Sequence, residues 1–206
     1  MIVITGWRSK IAEEFRDLHT PVELTVKYLS GRRKFMKHGK PLEPDFPTNA
    51  SHYLFCQGLL RPRRMQDQTE AERTEGFEVN LDSIQRACNA VLAVNDTARI
   101  CIIGSESAYN GSFDDVYAVS KMLLHSYVER KPLKPGQQIV AISPGIIEDA
   151  GMTIRRTDQE MLAARRAAHP MGRFLQAREV AHLAHHLLYH QPYIRNTVIR
   201  MNGGEK

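Results

Sequence analysis

Short apolar runs recur along the chain at 2–5 (IVIT), 22–29, 52–56 (HYLFC), 99–104 (RICIIG), 138–143 (QIVAIS) and 194–201. They alternate little with polar residues and several are rich in Ile and Val, the pattern of strands covered on both faces. Between them, the stretches 9–18, 68–94, 114–130 and 177–190 space their apolar residues for helices, and Val116, Val119, Met122 and Leu123 give 114–130 one packed side. Alternating strand and helix predicts an α/β fold with a doubly wound parallel sheet. The segment 31–50 departs from this rhythm. Gly31, Gly39, Pro41, Pro44 and Pro47 break any helix there, leaving at most a short strand ending near Asp45-Phe46. The region after the second strand is therefore shortened, with too little chain for a full crossover helix. No internal repeat or composition shift marks a boundary, so a single domain over 1–206 is expected, with 150–176 as a flap over the ligand.

Composition narrows this picture. At 206 residues and 42% hydrophobic content the chain can bury one core but not two ordinary ones. No signal-peptide pattern opens the sequence and no apolar run reaches membrane-spanning length. The three cysteines, Cys56, Cys88 and Cys101, have no metal-ligand spacing and sit in apolar surroundings that suit reduced thiols. A cytoplasmic protein without a membrane partner is expected. The formal charge of +5 suits nucleic acid, an anionic small molecule or a solvated surface. The densest basic stretch, Arg32-Arg33-Lys34 with Lys37 and Lys40, lacks interleaved aromatics and any nucleic-acid-binding motif, so nucleic acid is not the expected partner. His182, His185, His186 and His190 fall at helical spacings without an HExxH motif, which favours a surface or subunit-contact role over a metal site. Arg155, Arg156, Arg165 and Arg166 suit either an acidic substrate or a solvated short helix.

An open parallel sheet binds its ligand outside the carboxyl ends of its strands, and the first strand-to-helix turn usually meets a diphosphate. Here that turn is Thr5-Gly6-Trp7-Arg8-Ser9-Lys10-Ile11-Ala12. Only Gly6 supplies a glycine, while Lys10 and Ala12 stand where two more would ease backbone approach. Gly6, Arg8, Ser9, Lys10 and Ile11 are the candidate contacts, Lys10 either adding positive charge or blocking the amides. After the second strand there is no acid to accept hydrogen bonds from a free ribose. Arg32 and Arg33 stand there instead, with Arg8 in the first turn, favouring a 2′-phosphate and hence NADP(H) over NAD(H). The competing reading is a solvated basic turn.

Tyr117 and Lys121 stand one turn apart on one helical face. A phenol with an ordinary pKa near 10 needs a nearby cation to serve as acid or base at neutral pH, and Lys121 can supply it. Ser105 precedes Tyr117 by twelve residues and follows the strand 99–104, so its hydroxyl is expected at the ligand edge. Ser107 competes for that role at a less favourable spacing.

These residues resemble the short-chain dehydrogenase/reductase family, and the likeness runs in order through nearly the entire chain. Thr5-Gly6 is similar to the opening of the TGxxxGxG turn, Asp45-Phe46 to the adenine-contacting Asp, Phe55-Cys56-Gln57-Gly58 to a degraded NNAG and Val79-Asn80-Leu81 to the VN pair. Ile103-Gly104-Ser105 resembles the serine strand, Tyr117 and Lys121 the YxxxK pair, and Ser143-Pro144-Gly145-Ile146-Ile147-Glu148 the proline-glycine cofactor loop. Pro170-Met171-Gly172-Arg173, Arg178-Glu179-Val180-Ala181 and Val198 to Gly204 resemble the closing segments.

The resemblance implies a Rossmann-like fold and hydride transfer between a nicotinamide and a small carbonyl or alcohol substrate. Tyr117 would exchange the proton, Lys121 would lower its pKa and hold the ribose, Ser105 would bond the reacting oxygen, and Asn80 would hold a relay water. Asp45, Gln57, Gly58, Pro144, Gly145 and Ile147 would contact the cofactor. The implied assembly is a homodimer or homotetramer packed through the helices carrying Asn80 and Tyr117. Asn80 has a second reading, a polar residue satisfying a kink within 68–94. The chain departs from the family on the adenosine side, in the glycine turn, the NNAG-like segment and the short 31–50 region, and Asp149 stands where a threonine is common. Two other readings keep the fold: an inactive dinucleotide sensor or scaffold, and a nucleotide-sugar dehydratase or epimerase, for which too little chain follows Pro144.

Overall fold

The computed structural model describes residues 1–19, 26–29 and 46–205, with the backbone alone for 26–29. Strands β1 (Ile2–Thr5), β2 (Val26–Leu29), β3 (His52–Phe55), β4 (Arg99–Ile103), β5 (Gln138–Pro144) and β6 (Thr197–Met201) form one sheet in the order β2-β1-β3-β4-β5-β6. Every pairing is parallel. The doubly wound α/β architecture is thus present, and β2 is its outermost strand among the described residues. Phe46 is a buried loop residue, and Asp45 lies outside the described residues.

Strict alternation along the strands builds two cores. Ile2, Ile4, Leu54, Cys101, Ile103, Val140 and Ile142 face one side, against Ile11, Ala12 and Phe15 of helix α1 (Lys10–Asp17). Their strand neighbours Val3, Tyr53, Phe55, Ile100, Ile102, Ile139 and Ala141 face the other. There they meet helices α2 (Glu70–Phe77), α3 (Ser83–Val94) and α5 (Asp115–Arg130), the last preceded by a single turn α4 (Ser107–Asn110). Both faces are covered because each strand residue has an apolar partner helix on its own side, each large side chain contributing about 1.5–3 kcal/mol on burial. Helix α8 (Ala177–His190) joins α1 on the first face, and Gln138 holds its end by donating to the carbonyls of Gln191 and Ile194, each at 2.7 Å.

The stretch 68–94, expected as one helix, is two helices joined by a π-helical turn, Glu78–Asp82. The expected packed side of α5 is also corrected. Val116 is buried, but Val119, Met122 and Leu123 are exposed, and the buried face carries Tyr117, Ser120, Lys121, Leu124, His125 and Val128. The helix is apolar on two sides, so periodicity alone selected the wrong one. The region 150–176 holds two short helices, α6 (Gly151–Ile154) and α7 (Gln159–Ala168). No helix among the described residues is long and apolar enough to cross a membrane.

Candidate active site

The carboxyl edge of the sheet gathers predicted residues from several elements. The end of β4 delivers Ser105, and α5 delivers Tyr117 and Lys121. Ser105, Tyr117 and Lys121 are all buried. The α5 start is fixed by Asp114, whose carboxylate caps the Tyr117 amide at 3.3 Å and also accepts from the Arg61 amide at 2.8 Å and Gln68 Nε2 at 2.9 Å.

Ser105 Oγ accepts from the Ser107 amide at 3.1 Å, which leaves its proton to donate, and the hydroxyl lies close enough to the Tyr117 phenol to oppose the upward push of burial. Ser107 thus serves Ser105 through its backbone. Lys121 Nζ donates to the Ile103 carbonyl at 2.8 Å and lies 5.8 Å from the centre of the Tyr117 ring. Burial brings the Lys121 ammonium down to about 8. The expectation that Lys121 holds the phenol below its ordinary value is not met in this structure. Burial pushes Tyr117 up, the Ser105 hydrogen bond pulls it back, and the Asp114 charge pushes it up again.

Asn80 lies in the π turn, fully buried, and exchanges two hydrogen bonds with the Leu59 backbone: its Oδ1 accepts at 2.8 Å and its Nδ2 donates at 2.9 Å. Its side chain therefore ties the helix to the loop after β3 and satisfies groups beyond its own helix. That loop begins with Cys56, whose thiol burial pushes up to about 12, followed by Gln57, which contacts the Thr5 hydroxyl. Gly58 faces Met152 of α6, whose methyl would lie 3.2 Å from a Cβ placed there.

In the first turn, Gly6 has φ +64°, and a Cβ would come within 2.5 Å of the Cys56 and Gln57 backbone, so glycine is required for the approach of the two strand ends. Ser9 caps α1 by accepting from the Ala12 amide at 3.2 Å. Lys10 pairs with Glu13 at 3.3 Å and Glu14 at 2.9 Å on its own helix, and so turns its charge to them and not to the turn. Arg8 is exposed and stacks over Trp7 at 5.3 Å. Arg32, Arg33 and Asp45 lie outside the described residues.

On the opposite lip, Pro144 ends β5 and the Gly145 amide bonds the Met201 carbonyl at 3.0 Å. Ile146 and Glu148 pair with Leu175, which turns the Ile147 amide the other way. Asp149, in the threonine position, caps the Ala177 amide of α8 at 2.8 Å.

Three buried polar residues escaped the sequence reading. Glu106 follows Ser105 and accepts from Ser143 Oγ at 2.7 Å, Asn202 Nδ2 at 3.0 Å and the Arg200 guanidinium. His125, one turn beyond Lys121, has Nε2 3.4 Å from the Ser105 amide, and burial lowers it to about 4. Asp114 is the third. Helical spacing from Lys121 could have singled out His125, whereas nothing local marks Glu106 or Asp114 as buried. The four expected surface histidines divide: His182, His186 and His190 are exposed, while His185 packs against Phe15, His19 and Tyr189. Among the described residues, no three His, Cys, Asp or Glu side chains come together as metal ligands.

Strand order reverses between β1 and β3, and the first turn, the Ser-Tyr-Lys group after β4 and the Pro144 loop after β5 all lie along the same carboxyl edge. Fold and side chains together define an α/β protein of the dinucleotide-binding dehydrogenase class. A family model described as enoyl-(acyl carrier protein) reductase matches residues 53–205, and the chain belongs to the short-chain dehydrogenase/reductase family. A glucose/ribitol dehydrogenase of that family from Brucella melitensis superposes with a TM-score of 0.79 at 16% identity, covering 98% of this chain and 95% of that one. The 3-oxoacyl-[acyl-carrier protein] reductase of the same organism gives 0.78 at 14% identity, covering 98% and 90%. Ligand-free aldohexose dehydrogenase from Thermoplasma acidophilum gives 0.73 at 17%, covering 98% and 92%. No curated protein matches the sequence itself.

The family fold implies a nicotinamide dinucleotide. The residues fit one at the nicotinamide end, where Lys121 keeps two ammonium protons beyond its bond to Ile103 and Ile147 turns its amide away from Leu175. At the diphosphate, the first-turn amides of Lys10 and Ile11 have no acceptor within their helix.

Proposed function

We propose that this protein is an NADP(H)-dependent oxidoreductase acting on a small carbonyl or alcohol substrate, a single domain in which 150–176 covers the substrate. When bound, the dinucleotide supplies or accepts the hydride at its nicotinamide carbon. Tyr117 is the general acid or base at the substrate oxygen, and Ser105, with its lone pair committed to the Ser107 amide, donates to that same oxygen. Lys121 orients the ribose and offsets negative charge on the phenolate as it develops. Asn80 fixes the loop carrying Gln57 and Gly58 and acts at the relay water through the π turn. Gly6, Arg8, Ser9, Ile11, Pro144, Gly145 and Ile147 line the cofactor path, with Arg32, Arg33 and Asp45 at the adenosine end. The observation that carries this reading is the burial of Ser105, Tyr117 and Lys121 at the carboxyl edge of the sheet, with Tyr117 and Lys121 on the same face of α5.

A second reading, an inactive dinucleotide sensor or scaffold, draws on Met152 lying across Gly58 and on the raised Tyr117 phenol. Fluorescence titration with NADPH and NADH, repeated on Arg32→Ala/Arg33→Ala, separates the two. Micromolar NADPH binding, with NADH about tenfold weaker and that preference lost in the double variant, supports the oxidoreductase. A carbonyl screen with a Tyr117→Phe control then follows. No binding of either nucleotide at millimolar concentration favours the scaffold.

A further inference from the structure

Glu106 is a carboxylate with 6% of its surface exposed, one residue beyond Ser105, at the meeting of three strand ends. Isolated burial of such a charge would be costly, and here every contact offsets it. Arg200 of β6 donates through Nε to both carboxylate oxygens at 3.0 Å and through a second nitrogen to Oε2. Ser143 of β5 donates to Oε1 and Asn202, just past β6, to Oε2. The Arg200 guanidinium is itself covered by the Tyr109 ring, 4.3 Å from the ring centre. The Glu106 amide donates to the Pro144 carbonyl at 3.0 Å, so backbone and side chain both join the β4 end to its neighbour.

The Glu106 amide's bond to the Pro144 carbonyl and the side-chain clamp together hold the peptide plane that joins Glu106 to Ser105. Ser105 Oγ accepts from the Ser107 amide, a bond that spans Glu106 in sequence, so the placement of Glu106 bears directly on where the Ser105 hydroxyl is turned beside Tyr117. We propose that Glu106 is a positioning residue, its clamp on Ser143, Arg200 and Asn202 setting the direction in which Ser105 donates to the reacting oxygen. This rests on the oxidoreductase reading for its purpose, but the geometric link from the Glu106 clamp to Ser105 stands independently of any nucleotide.

The test uses full-length protein labelled with ¹³Cζ-tyrosine, the Tyr117 resonance being assigned from Tyr117→Phe. Ser105→Ala sets the full change in that resonance when the hydrogen bond is lost. Glu106→Gln is expected to move it in the same direction by at least half as much, Arg200→Lys to restore most of the wild-type position relative to Arg200→Met, and Ser105→Ala/Glu106→Gln to move it no further than Ser105→Ala alone. An unmoved resonance in Glu106→Gln, or one that shifts additively in the double variant, overturns the proposal. If Glu106→Gln does not fold, Ser143→Ala, which removes a single bond to the clamp, is read in its place by the same criteria. NADPH titration of the same samples separates the two claims: a wild type that binds no nucleotide defeats the oxidoreductase reading, while the resonances still decide whether Glu106 aims Ser105.

Discussion

Asn80 and Leu59 pair like two strand residues, the side-chain amide of one closing both backbone hydrogen bonds of the other at 2.8 and 2.9 Å. Truncation at Asn80 leaves a buried N–H and a buried C=O without partners. Asn80→Ala is expected to lose about 2–4 kcal/mol in urea unfolding, and Asn80→Asp at neutral pH at least as much, since it buries an unpaired charge against the Leu59 carbonyl. A change within about 0.5 kcal/mol in Asn80→Ala would show that the loop after β3 closes without it.

Gly6 combines a positive φ with backbone atoms 2.5 Å from where a Cβ would sit. No rotamer relieves a clash with Cys56 and Gln57 main chain. Gly6→Ala is expected to cost more than about 2 kcal/mol, through left-handed strain and displacement of β3 together. Gly111, also at positive φ but with open space around it, is the comparison: Gly111→Ala pays the strain alone and should cost less in the same assay.

His52 and His125 are both held near 4, His52 by burial and then by Arg99, His125 by burial and then by Lys121. The unfolded chain titrates them near 6.5, so it binds more protons than the native state between those values. Stability should therefore fall as pH drops from 6.5 towards 4, by up to about 3 kcal/mol for His125 and by less for His52, whose partial exposure lets solvent screen the effect. Urea midpoints at pH 7 and pH 5 measure the early part of this loss, before the carboxylates of Glu106 and Glu179 contribute at lower pH. His125→Asn and His52→Asn should each flatten the slope, and equal wild-type midpoints at the two pH values would refute the assignment.

Val119, Met122 and Leu123 leave an apolar face on α5, the helix carrying Tyr117. If this face packs against a second copy, Met122→Glu/Leu123→Glu gives a smaller species by analytical ultracentrifugation without loss of helix content by circular dichroism. An unchanged sedimentation coefficient in the double variant would place any subunit contact elsewhere.

The sheet and its order of helices were legible because strand residues buried on both faces must be mostly apolar, and β1, β3, β4 and β5 carry polar residues only at or next to their ends. Ser105, Tyr117 and Lys121 were legible because a strand end and a helical turn fix their spacing before any tertiary contact forms. Which face of α5 turns inward was not, since an apolar residue reads alike whether it meets the core or a partner. The buried charges were least visible of all. Glu106 and Arg200 stand 94 positions apart, and each alone has the sequence signature of a solvated side chain. Only the packing of β4 against β5 and β6 removes water from the carboxylate and delivers the cation that makes its burial tolerable, so the chain determined which chemical groups this protein has, and the tertiary structure decided which of them act together.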